Sequence, residues 1–170
     1  MKNTLKFILA ITAIALCSNV SAQNLKMAHI NMQELIVSMP DYDSAQVKLQ
    51  KYAKGLEEQM EIMQVELNRK YEEFSKNQAS WSDLVKQVKT DELNSMNQRF
   101  QSFQQQAQED YQQENDKLLQ PVIDKANKAI EAVAKTQGIN CVLNVQMILY
   151  KDATMTDLLP AVQKHLGVVK

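Results

Sequence analysis

Between Pro40 and Pro121 the chain has no proline, and Gly55 is the only glycine in that stretch. Helix breakers are the ordinary punctuation of a globular chain. A segment this long and nearly free of them, filled mainly by Gln, Glu, Lys, Ala, Leu and Met, is built from good helix formers. One or two long helices are therefore expected.

Periodicity sharpens that expectation. Leu49, Tyr52, Leu56, Met60, Met63, Leu67, Tyr71 and Phe74 recur at spacings of three and four, which keeps one apolar stripe on one helix face. The repeat is closer to 11 residues than to 7, so the stripe runs nearly straight. A second stripe passes through Met96, Phe100, Phe103, Ala107 and Tyr111 and continues more loosely through Leu118 and Val122. Between the two, Ser75 to Asp83 collects polar turn and capping residues, with Ser80 or Ser82 available to cap a returning helix. The pattern predicts an antiparallel hairpin, its arm spanning 43–118 and its tip near 75–85. Pairing about residue 80 sets Leu67 against Leu93, Met63 against Met96 and Met60 against Phe100. Helix from Asp43 to Lys76 extends about 50 Å at 1.5 Å per residue.

The flanks, 23–42 and 119–170, read as a small body. Lys26 to Met32 alternates like an edge or half-buried strand, and Gln33 to Ser38 suits a short helix stopped at Pro40. Val122, Ala126, Ala129, Ile130 and Val133 continue a helix that Gly138 ends. Two short strands, Cys141-Val142-Leu143 and Ile148-Leu149-Tyr150, precede a last helix opened by Asp157, with Leu158, Leu159, Val162 and Leu166 inward. The fold class is α+β, mostly α. So slight a body buries little apolar surface alone, and self-association is a standard remedy. Ile30, Val142, Leu143, Ile148, Leu149 and Tyr150 are the residues expected to join copies.

The first residues suggest a compartment. Lys2 and Lys6 precede the apolar run Phe7 to Leu16, and Val20-Ser21-Ala22 offers small residues for cleavage, the pattern of a secretory signal peptide over 1–22. That run falls short of the about 20 apolar residues of a membrane-spanning helix. Cys17 raises a lipoprotein signal as a competing reading, against which the bulk of Leu16 argues. Without 1–22 the chain keeps 17 basic against 20 acidic residues, a net charge of −3, and Cys141 as its one thiol. No intrachain disulfide can then form, and no basic surplus recruits nucleic acid.

Catalysis and cofactors find no footing. His29 and His165 stand far apart in sequence, no His, Cys or carboxylate group has metal-ligand spacing, and three glycines scarcely furnish a phosphate loop. An enzyme, a cofactor and a metal are accordingly not expected. Interaction chemistry is better represented. Met60, Met63 and Met96 offer adaptable thioethers to varied apolar partners, although filling the seam between the arms is the plainer role. Phe74 and Phe100 belong to the same stripes. At the tip Trp81 lies among Lys76, Lys86 and Lys89 with Asp83 the one acid counted near them, giving a local charge of +2. That ring either meets partners or folds back to cap the hairpin. Glutamines from Gln98 to Gln113 give an uncharged polar face, as a solvated helix requires.

Taken in order, Ala28-His29-Ile30-Asn31-Met32-Gln33, the charged and Gln-rich hairpin, Val133-Ala134-Lys135 with Gly138 and Val142-Leu143, then Leu149-Tyr150 and the Asp157-Leu158 helix resemble the Skp/OmpH family. The resemblance covers essentially the whole chain after residue 22. It implies a periplasmic homotrimer whose hairpins hang like tentacles around a cavity and hold unfolded outer-membrane β-barrel proteins without ATP. Two features depart from it. Better-known members are strongly basic, so the −3 charge argues against contact with lipopolysaccharide or anionic membrane, and Leu159-Pro160 stands where the family tends to place a threonine. A structural adaptor bridging fixed envelope partners is the alternative from another class, and a membrane-surface protein is a third.

Overall fold

The computed structural model describes residues 25–168. The expected signal peptide and Cys17 lie outside the described residues. The chain forms β1 (Met27–Ile30), α1 (Met32–Val37), α2 (Pro40–Asn77), α3 (Asp83–Thr136), β2 (Cys141–Asn144), β3 (Thr156–Asp157) and α4 (Leu159–Leu166). A single 3-10 turn, Val145–Met147, follows β2. The molecule is mostly helical, with two long helices paired antiparallel and one small sheet.

Local chemistry explains the boundaries. The Asn31 side chain accepts the Glu34 N–H at 3.2 Å and so starts α1 one residue earlier than Gln33. Pro40 does more than stop that helix. It occupies the first position of α2, where its missing N–H costs nothing, so the arm begins three residues before Asp43. Ser82 caps α3 through a bond from the Val85 N–H at 3.4 Å. At the far end Gly138, at φ 65°, takes the left-handed turn, and the Ile139 N–H returns to the Ala134 carbonyl at 2.9 Å. Along α3, Gln106, Gln112 and Gln120 each donate to the aspartate four residues on, at 2.8 to 2.9 Å. Such pairs support a helix through its own surface.

The sheet corrects two expectations. Its order is β2-β1-β3, and both pairings are parallel. β1 is thus the central strand, not an edge, and Ala28, His29 and Ile30 are all buried. Ile148-Leu149-Tyr150 is not a strand. The place beside β1 goes to Thr156–Asp157, because that register delivers Leu158 into the core with its N–H on the His29 carbonyl at 2.9 Å. Both edges of β1 are occupied by β2 and β3, and residues 148–150 run as a loop.

The core lies where the sheet, α1, the start of α2, the end of α3 and α4 converge. Leu35, Met39, Leu158 and Val162 are its largest fully buried side chains. Each contributes about 1.5–3 kcal/mol relative to exposure. Ala28 and Ile30 face this core, and Val122, Ala126, Ala129 and Val133 close it from α3. Alternation then sends Met27 and His29 to the opposite face of the sheet, which the helices leave uncovered.

Candidate functional site

The two arms meet along the expected stripes. Leu49, Leu67, Leu93 and Ala107 are buried in the seam, whereas Met60, Met63, Met96 and Phe100 are only half-buried. The two arms do not close on each other along their whole length. A groove of about 470 Å³ opens between them, lined by Met63, Met96, Glu66, Glu92, Ser95 and Arg99. Another, of about 410 Å³, is lined by Leu56, Met60, Ala107 and Tyr111 among others. Met63 and Met96 are thus brought together in one groove, and Met60 lines a separate one. Tyr71 and Tyr111, although in register with the stripes, lie largely exposed at 47% and 40%.

At the tip, Trp81 turns back onto Phe74, ring centroids 5.7 Å apart and planes at 70°. This edge-to-face contact leaves Trp81 half-buried. Below it Glu92 bridges the arms, accepting from Lys70 on α2 at 2.7 Å and from Lys89 on its own helix at 3.0 Å. Hydrogen bonds from Lys70 and then Lys89 hold the Glu92 carboxyl well below its ordinary range, at about 2. The same carboxylate raises the Lys89 ammonium. Lys76 pairs with Glu72 at 3.4 Å and Lys86 with Asp83 at 3.6 Å. The local surplus of +2 read from sequence is therefore corrected: Glu72 and Glu92 fold in beside the lysines, and each tip lysine has a carboxylate partner.

Several well-exposed apolar side chains of the hairpin lie off the stripes. Ile62 and Val65, each 60% exposed, share the face of α2 turned away from the seam, and Leu84 and Val88, at 73% and 57%, share a face of α3 near the tip. Sequence reasoning missed these four. The available signal was an apolar pair at spacing three or four falling between stripe positions, where a solvated face calls for charge.

On the body, Met147, Leu149 and Tyr150 project almost wholly into solvent, at 83%, 106% and 84%. The loop that carries them meets the sheet where Lys151 reaches His29 at 2.6 Å, and there the ladder sets Met27 beside Cys141 and His29 beside Leu143. Parallel sheets ordinarily bury both faces. Of the residues expected to join copies, Leu143, Leu149 and Tyr150 are exposed, and Val142 and Ile148 are half-buried. Ile30 is not available, because it sits in the chain's own core at 3% exposure.

Among the described residues no three His, Cys, Asp or Glu side chains gather as a metal site, and no helix is long and apolar enough to cross a membrane. Cys141 is a free thiol. His29 is buried in β1, and His165 is exposed on α4.

The family model for outer membrane protein (OmpH-like) matches residues 26–166. No curated protein matches the chain. Among solved structures it is similar to a crystal structure from Caulobacter crescentus, provisionally assigned as an OmpH-like outer membrane chaperone. The TM-score is 0.72 at 14% identity, over 82% of each chain. At that identity the likeness concerns the fold.

Proposed function

This chain belongs to the OmpH-like family, and from that premise we propose that it is an ATP-independent holding chaperone of the periplasm. In this reading it assembles as a homotrimer and keeps unfolded outer-membrane β-barrel proteins apart in the space between its arms. The body (23–42 and 119–170) joins the copies, and the arm (43–118) holds the client.

The observation that carries the reading is the distribution of apolar surface. α2 alone runs for 38 residues, about 57 Å at 1.5 Å per residue. Along that length the apolar groups are shallow and separate: half-open grooves at Met60, Met63 and Met96, and the exposed pairs Ile62 with Val65 and Leu84 with Val88. Many weak apolar contacts over a long wall suit clients of varied sequence, whereas specific small-molecule sites are concave and well enclosed. A holdase also needs no energy source, since release follows from weak binding and from the client's own folding. The exposed trio Met147, Leu149 and Tyr150 supports self-assembly, because single chains seldom leave large apolar side chains clustered in water.

The test dilutes a denatured outer-membrane barrel protein into buffer with increasing chaperone and follows light scattering. Suppression that saturates at one client per assembly, and that extends to barrels of unrelated sequence, is expected. No suppression at a severalfold excess refutes the holding role, and binding to a single folded partner returns the argument to a structural adaptor.

A further inference from the structure

We propose that His29 and Lys151 form a proton-operated latch that ties the apolar loop at Met147 to Tyr150 to the sheet while the imidazole is neutral and frees it once the ring is protonated. The His29 side chain is 6% exposed, and its Nε2 lies 2.6 Å from the Lys151 Nζ. An ammonium has donors only, so at this distance Nε2 must be the acceptor and the neutral ring carries its proton on Nδ1. That nitrogen faces the Asp157 carboxylate, 3.9 Å away on the neighbouring strand.

A second proton, placed on Nε2, sets two donors against each other and breaks the Lys151 bond. Asp157 stays, because it favours the imidazolium and is held by the Leu159 N–H at 3.0 Å. Lys151 is exposed and free to leave into water. Lys151 and Asp157 are the charged groups within hydrogen-bond or ion-pair range of the ring among the described residues. β2 presents Leu143 in register with His29, and α4 approaches through the backbone N–H of Leu158, just before its first turn. The bond to His29 is also the one side-chain hydrogen bond, among the described residues, that ties 147–151 to the sheet. Freeing Lys151 therefore frees its neighbours Leu149 and Tyr150, and with them the face assigned above to self-assembly. Only this last consequence rests on the proposed function.

The experiment follows the His29 ring and the Tyr150 ring of the full assembly by NMR through an acid titration starting from about pH 8, with subunit mass measured alongside. The Tyr150 signals are expected to move with the same midpoint as His29, and association to weaken roughly tenfold at the acid end, as loss of one charge-assisted bond implies. In Lys151→Met the Tyr150 signals should sit at their acid position throughout. In His29→Gln, whose amide still accepts from Lys151, they should stay at the neutral position. Tyr150 signals that ignore His29 protonation, or that keep their midpoint in Lys151→Met, overturn the latch. A chain that is monomeric at every pH, with the Tyr150 response intact, upholds the latch and removes only the assembly reading.

Discussion

Lys70 on one arm and Glu92 on the other meet at 2.7 Å, the ion pair that crosses the hairpin nearest its tip among the described residues. Lys89 completes the bridge from the Glu92 side. The folded carboxyl is held at about 2 against an ordinary 4.5. A depressed acid stabilises the fold fully above its unfolded value and loses that contribution as pH falls toward its folded value. Hairpin stability from this bridge is therefore complete above about pH 4.5 and declines down to about pH 2.

The Glu92 side chain is 35% exposed, so water screens the bridge. Glu92→Gln should cost about 0.5–1 kcal/mol, the range of a well-placed surface pair. Amide exchange near Leu67 and Leu93 should quicken while the body amides keep their protection, and the acid sensitivity of the tip should flatten between pH 4.5 and 2. Unchanged tip exchange in Glu92→Gln would mean that the seam leucines carry the tip unaided.

Trp81 and Phe74 close the end of the same hairpin. An edge-to-face pair contributes about 0.5–1.5 kcal/mol beyond its buried area. Trp81→Ala should fray the turn and the ends of α2 and α3, lowering helical signal slightly without changing subunit assembly. Because the ring is already engaged with Phe74, Trp81 fluorescence in the intact protein should shift little when an unfolded barrel protein is added. A large shift would show that the ring leaves Phe74 for the client.

Gly55 lies inside α2, and a Cβ added there meets nothing within 4 Å. Glycine in a helix interior is less favourable than alanine by about 0.5–1 kcal/mol. Gly55→Ala should raise the thermal midpoint by that equivalent and stiffen the arm. If bending at Gly55 helps the arms adapt to clients of different size, the same variant should hold large barrels less well while leaving small ones unaffected, which a size series in the scattering assay reads directly.

The long-range plan of the chain was legible because helix periodicity is a repeated signal: every turn of α2 and α3 restates which face is buried, and Leu67 and Leu93 bury where the stripes meet. The body was harder. Cys141-Val142-Leu143 and Ile148-Leu149-Tyr150 look alike as short apolar runs, and nothing local tells which one pairs with β1. The choice of Thr156–Asp157 depends on where Leu158 and α4 pack, a tertiary fact. The tip lysines misled for a related reason, since Glu72 and Glu92 come beside them only when helix turns and arms are brought together. His29 read as an ordinary alternating residue, and its burial arises from a loop more than a hundred positions away.

The wall residues separate the two roles that the sequence left mixed. Met60 and Met63 line the seam and half-open grooves, so replacing both with serine removes packing as well as surface and should destabilise the hairpin by roughly 2–4 kcal/mol, within the range for emptied methionine sites. Ile62, Val65, Leu84 and Val88 are mostly in water, and their replacement by serine should alter stability by no more than about 0.5 kcal/mol each. A chaperone that captures clients on its outer apolar pairs loses suppression of aggregation in the quadruple serine variant while its melting curve stays in place. One that works through the grooves loses suppression with the methionine pair instead, and measuring melting and light scattering on both variants decides which surface meets the client.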